Sequence, residues 1–182
     1  MKYFYDTEFH EDGSTIDLIS IGIVAEDGRE YYAVNSDMDR DRIAKNDWLC
    51  QNVVPHLPIN GGKPTRGFGS NQWSWSLNKR SVLVKPKWVI ANEVREFLLG
   101  HPNEPELWAD FGAYDHVALA QLWGPMIMLP KGLPMYTREF QQRLDDLGRP
   151  ELPEQVSGEH NALDDARHLK NCFDATERRS TA

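Results

Sequence analysis

Several familiar architectures are excluded by what this chain does not contain. Only two of its 182 residues are cysteines, Cys50 and Cys172, far apart and in no C-x-x-C pair. A disulfide framework, a zinc ribbon and a thioredoxin-type redox pair are therefore ruled out. Long apolar runs are missing as well: the longest, Leu18 to Ala25, has eight residues and includes Ser20 and Gly22, against the roughly 20 needed to span a bilayer. The N-terminus, Met-Lys-Tyr-Phe-Tyr-Asp, has no apolar leader segment, so no membrane partner and a cytoplasmic location are expected. Neither an internal repeat nor a low-complexity tract is visible. With 40% hydrophobic and 26% charged residues, the composition is that of one compact domain over 1–182.

Acid is also lacking, locally. The net charge is −8, yet no Asp or Glu occurs from Trp48 through Asn92, where Lys63, Arg66, Lys79, Arg80, Lys85 and Lys87 contribute six positive charges and leave −14 for the remainder. Trp48, Trp73, Trp75 and Trp88 lie in the same stretch. Cations interleaved with flat aromatics are what a single-stranded nucleic-acid groove uses. A solvated basic loop whose tryptophans serve the core fits the same pattern, and both readings stand at this point.

Periodicity outlines the elements. Lys2 to Asp6 reads as a short aromatic strand, and Thr15 to Ala25 as a buried strand. The turn Glu26-Asp27-Gly28-Arg29 leads into a third strand, Glu30 to Val34. A helix over Asp39 to Val54 is stopped by Pro55 and Pro58, and a turn-rich stretch from Pro58 to about Lys85 reads as a basic, tryptophan-containing exposed loop or insertion. Helix follows over Pro86 to Leu99, strand over Glu106 to Phe111, then helices over Asp115 to Trp123, Thr137 to Leu147 and Asn161 to Glu177. This order predicts an α/β fold with a mixed sheet flanked by helices.

Three acidic spots carry the chemistry. Asp6-Thr7-Glu8 sits on the first strand, and alternation puts Asp6 and Glu8 on one side, about 6 to 7 Å apart. Two acids on one face repel unless a cation joins them, and Mg²⁺ or Mn²⁺ favours such hard oxygens. Asp115 falls in the run Gly112-Ala113-Tyr114-Asp115-His116-Val117-Ala118-Leu119, where a helix-start acid favoured by the macrodipole is the simpler account. The third spot is Glu159-His160-Asn161-Ala162-Leu163-Asp164-Asp165-Ala166, opening the last helix. Asp110 competes with Asp115, and Asp164 with Asp165, the former of that second pair being the better i+4 neighbour of His160.

Taken together, D-x-E on a first strand, Y-D-H after a later strand and H-x-A-x-x-D-A opening a final helix resemble the DEDDh 3'-5' exonucleases of the RNase H-like superfamily. The likeness runs over nearly the whole chain and is greatest to the RNase T-like group that includes the polyadenylate-specific exoribonuclease AS, through Phe4-Tyr5-Asp6-Thr7-Glu8-Phe9, Ile19-Ser20-Ile21-Gly22-Ile23-Val24-Ala25, Glu30-Tyr31-Tyr32-Ala33-Val34 and Gln121-Leu122-Trp123-Gly124-Pro125-Met126. The resemblance implies an RNase H-like fold, Asp6, Glu8, Asp115 and Asp165 as metal ligands, and His160 as general base. It favours Asp115 over Asp110 and Asp165 over Asp164. Two Mg²⁺ ions, replaceable by Mn²⁺, would serve 3'-to-5' hydrolysis to nucleoside 5'-monophosphates, with a histidine suited to take the proton of the attacking water. Thr7, Phe9 and His10, beside the metals, would hold the terminal nucleotide. The implied substrate is single-stranded RNA, 3' overhangs or poly(A), and a homodimer is implied by the same analogy. A DNA-directed proofreading exonuclease and a noncatalytic nucleic-acid-binding domain on this fold are the alternative readings.

Overall fold

The computed structural model describes residues 1–180, with side chains through Arg178. β1 (Lys2–Glu11), β2 (Ile16–Ala25) and β3 (Glu30–Asn35) form an antiparallel meander. β1 is longer than the predicted Lys2 to Asp6, because Thr7 to Glu11 continue to pair with the front half of β2. Asp6 therefore lies within the strand and not at its end. The ladder between β1 and β2 shifts register at Glu8/Phe9.

Two helical pieces, α1 (Arg40–Ile43) and α2 (Asp47–Asn52), replace the single helix predicted over Asp39 to Val54. Local side-chain caps explain the break: Asp39 accepts from the Arg42 amide at 3.1 Å, and Asn46 accepts from the Leu49 amide at 3.0 Å and starts a new helix. The turn-rich segment holds a small hairpin, β4 (Thr65–Arg66) with β5 (Trp73–Ser74). β6 (Val84–Lys85), α3 (Lys87–Leu99), β7 (Glu106–Ala109), α4 (Ala113–Ala120), β8 (Arg138–Glu139), α5 (Phe140–Asp146) and α6 (Ala162–Ser180) complete the order. The main sheet runs β6-β3-β2-β1-β7-β8. Its β1–β7, β3–β6 and β7–β8 pairs are parallel, so the sheet is mixed, as predicted.

Strand alternation divides the core. Tyr3, Tyr5, Ile21 and Ile23 face α3 and α4, where Ile90, Val94, Leu98 and Leu119 close over them. Phe4 and Trp108 face the other way, onto Phe140 and Leu144 of α5 and Leu169 and Phe173 of α6. A third cluster packs Ile19 and Val34 against Ile43, Leu49, Cys50, Val53 and Val54. Asp6 and Glu8 continue the row begun by Phe4, so the same alternation aims them at α6.

One glycine fixes how closely α6 approaches. Gly22 pairs with Asp6 across the β1–β2 ladder. A Cβ there would lie 2.3 Å from the Ala162 carbonyl oxygen and from the Leu163 nitrogen, so the first turn of α6 crosses β2 where only hydrogen fits. No helix among the described residues is long and apolar enough to cross a membrane.

Candidate active site

Asp6, Glu8 and Asp165 converge where α6 meets β1. Each offers a carboxylate oxygen, and these oxygens all lie within 4.8 Å of one another. Asp165 reaches them from the first turn of α6, which Asn161 caps by accepting from the amides of Leu163 and Asp164 at 3.1 and 3.3 Å. Its carboxylate accepts from Gln155 Nε2 at 2.7 Å. Asp164 turns away to Arg167 Nη1 at 2.7 Å, so the structure brings Asp165 and not its neighbour to Asp6 and Glu8.

Asp115 arrives from the opposite side of the sheet. β7 pairs with β1 only along Lys2 to Phe4. Beyond Phe4 that flank of β1 carries no β7 ladder, and the first turn of α4 reaches it. There Asp115 Oδ1 accepts from the Thr7 amide at 2.8 Å and from Thr7 Oγ1 at 2.6 Å. Thr7 is only 4% exposed, and its hydroxyl is spent on Asp115.

The acids lack cationic partners. Among the described residues, no Lys or Arg ion pair reaches Asp6, Glu8, Asp115 or Asp165. Burial, followed by the charges of Asp115, Glu8 and Asp165, holds Asp6 well above the ordinary carboxylate range. Burial and then the charges of Asp165 and Asp115 push Glu8 up to about 8. Asp115 is pushed up to about 6 by burial, against the opposing pull of its two Thr7 bonds. Crowded, desolvated carboxylates of this kind fit a divalent cation, which relieves their repulsion.

His160 stands at the entrance to α6 with φ at +65°, a left-handed conformation rare outside glycine, and Gly158 two positions before it has φ +84°. Its ring meets Trp48 edge-on, the centroids 4.8 Å apart. His160 and Asp165 share a cavity of about 340 Å³ with Asp6, Asp110, His168 and Cys172. Asp110 lies on that wall, accepting from Gln141 Nε2 at 2.8 Å. Phe111 is 71% exposed with φ at +51°. Glu139 clamps this strained loop by accepting from the Phe111 and Gly112 amides at 2.9 and 2.8 Å.

Phe9 stacks on Tyr114 at 6.0 Å with the rings 9° from parallel, and His10 is partly buried with no partner for its Nδ1. The basic segment divides. Trp73 and Trp75 pack against the Ile19 and Val34 cluster, while Arg66 and the Trp73 indole both donate to Asp47. Trp88 stays exposed on α3, and Trp48 alone of the four sits beside the acidic centre. Gln155, Glu139 and the Trp48–His160 contact carry no sequence signal, because each pairs residues ten or more positions apart that only the tertiary fold brings together.

A family model described as the 3'-5' exoribonuclease Rv2179c-like domain matches residues 1–176. Two relatives from Mycobacterium tuberculosis, the 3'-5' exoribonuclease MT2234.1 of strain CDC 1551 / Oshkosh and the 3'-5' exoribonuclease Rv2179c of strain ATCC 25618 / H37Rv, are each 46% identical over 168 residues, covering 92% of this chain and 88% of their own length. With a family model over nearly the whole chain and relatives at 46% identity, the chain belongs to the Rv2179c-like family of 3'-5' exoribonucleases.

Proposed function

We propose that this exoribonuclease is a metal-dependent DEDDh enzyme on an RNase H-like fold, acting on single-stranded RNA or 3' overhangs and releasing nucleoside 5'-monophosphates. One observation carries the reading: Asp6, Glu8 and Asp165 present oxygens within 4.8 Å of one another, and among the described residues no Lys or Arg forms an ion pair with them. In this reading those three and Asp115 hold divalent cations, Mg²⁺ first and Mn²⁺ in its place. Bound there, such ions neutralise the scissile phosphate and make a water molecule more acidic.

The chain's own groups do the rest. Thr7 fixes the Asp115 carboxylate through its amide and hydroxyl. Gln155 fixes that of Asp165. His160 accepts the proton of the attacking water, its ring restrained by Trp48. Phe9 stacked on Tyr114, the exposed Phe111 and the half-exposed Trp48 offer flat faces beside the acids, and unpaired bases stack on such faces whereas a duplex hides them. That supports a single-stranded 3' end as substrate.

The test is hydrolysis of a 5'-labelled single-stranded RNA and its DNA counterpart, with Mg²⁺ or with EDTA, by wild type and Asp6→Ala. Shortening from the 3' end of RNA, only with metal and only by wild type, is expected. Metal-independent hydrolysis, or full activity in the variant, would overturn the assignment, and DNA degraded as fast as RNA would replace the substrate.

A further inference from the structure

We propose that the cavity contains a second, thiophilic cation site, in which His168 and Cys172 bind Zn²⁺ and so inhibit the exonuclease. The proposal rests on the exonuclease reading for its consequence but not for its chemistry.

His168 and Cys172 lie at i and i+4 on α6, so both point from one face of the helix. Cys172 Sγ is 3.4 Å from His168 Nε2. Two such atoms bound to one tetrahedral Zn²⁺, with Zn–S about 2.3 Å and Zn–N about 2.0–2.1 Å, stand about 3.5 Å apart. The pair is thus already spaced for chelation. Both residues line the cavity that also holds Asp6 and Asp165, which gives an ion an entry path although Cys172 itself is only 3% exposed.

Asp110 lines the same wall. Its negative charge reaches both groups: it is favoured by His168 and adds to the burial that holds the thiol in its protonated form. Binding exchanges the thiol proton, released to water, for the cation. Hard oxygens alone make up the Asp6, Glu8 and Asp165 cluster and favour Mg²⁺, whereas sulfur and imidazole select Zn²⁺, so the two sites discriminate by ligand softness. Asp165, His168 and Cys172 follow one another along the same stripe of α6. An ion at the latter two therefore sits within about two helical turns of Asp165, or roughly 10 Å, where it occupies the cavity and repels a second dication.

Co²⁺ is the probe, because a thiolate ligand gives it an intense near-ultraviolet charge-transfer absorption that carboxylates do not. Wild-type protein with Co²⁺ is expected to show this band, and Cys172→Ser and Cys172→Ala to lose it while Cys50→Ser keeps it. In parallel, Zn²⁺ is titrated into the Mg²⁺-supported reaction. Cys172→Ser and His168→Gln are expected to need about tenfold more Zn²⁺ or above for half-inhibition, with Mg²⁺-supported activity retained. Absence of the band in wild type overturns the site, whatever the enzyme's activity. Equal Zn²⁺ sensitivity of wild type and variants overturns the inhibitory role and assigns Zn²⁺ inhibition to the carboxylates. Failure of the exonuclease reading alone would leave the cobalt band in place.

Discussion

Thr7 holds Asp115 twice, and only one of those bonds can be removed by mutation. In Thr7→Val the 2.6 Å hydroxyl contact is lost while the amide contact at 2.8 Å remains. A hydrogen bond to a charged group contributes about 1.5–3 kcal/mol, so kcat in Mg²⁺ is expected to fall about tenfold or more with the fold retained. Thr7→Ser should restore most of the loss; steady-state kinetics on a labelled oligoribonucleotide decides it, and an unchanged kcat in Thr7→Val would remove Thr7 from the machinery. The alternation of β1 made Asp6 and Glu8 legible as neighbours before any coordinates, since a period of two needs no tertiary information. The choice of Asp165 over Asp164 was legible only through the family order His-x-Ala-x-x-Asp-Ala. Helical geometry alone favours Asp164 as the neighbour of His160, because it assumes both residues are helical, whereas His160 stands before the helix with φ at +65°. The hydroxyl of Thr7 was out of reach for another reason: its partner lies 108 positions away.

At the scale of elements, the crossing of α6 over β2 decides where Asp165 stands. Gly22→Ala places a methyl group 2.3 Å from the Ala162 carbonyl oxygen, and backbone on both sides must give way. Overpacking of this kind costs about 1–3 kcal/mol, and each kcal/mol lowers the Tm of a domain this size by about 2–4 °C. A melting curve several degrees below wild type is expected, together with weaker divalent-cation binding because the start of α6 is displaced. An unchanged Tm would mean that the crossing is looser than the contact implies. The long strands and α3 could be read from periodicity. β6 and β8, two residues each, could not, since two residues contain no period and their strand character comes wholly from β3 and β7 beside them. The α1–α2 break was hidden for a similar reason. Both Asp39 and Asn46 occupy positions that fit a polar helix surface, and only the bonds to the Arg42 and Leu49 amides reveal them as two separate starts.

Across the whole molecule the acidic centre sets a dependence on pH. Glu8 is raised from 4.5 to about 8 when folded, so folding favours its protonated form. The stability this contributes is complete below about 4.5 and is lost as pH rises toward about 8. Asp115, raised from 3.8 to about 6, acts in the same direction in the lower part of that window. Metal-free protein in EDTA is therefore expected to melt at progressively lower temperature from weakly acid to weakly alkaline buffer, and Mg²⁺ to raise Tm most at the alkaline end, where the carboxylates are charged and bind it best. A Mg²⁺ increment independent of pH would contradict the assignment of these acids as ligands. The overall charge of −8 gave no hint of this, because it sums an acidic centre with a basic segment. In that segment Arg66 is already tied to Asp47 and Lys85 to Glu93.

The clustered acids also have a temporal order. Asp6 and Glu8 lie on the first strand and Asp165 on the last helix of the described chain, so a chain emerging from the ribosome exposes the first two carboxylates long before the third exists. Domains fold as units once their sequence is out. Those carboxylates therefore meet only after α6 has emerged and docked against Gly22.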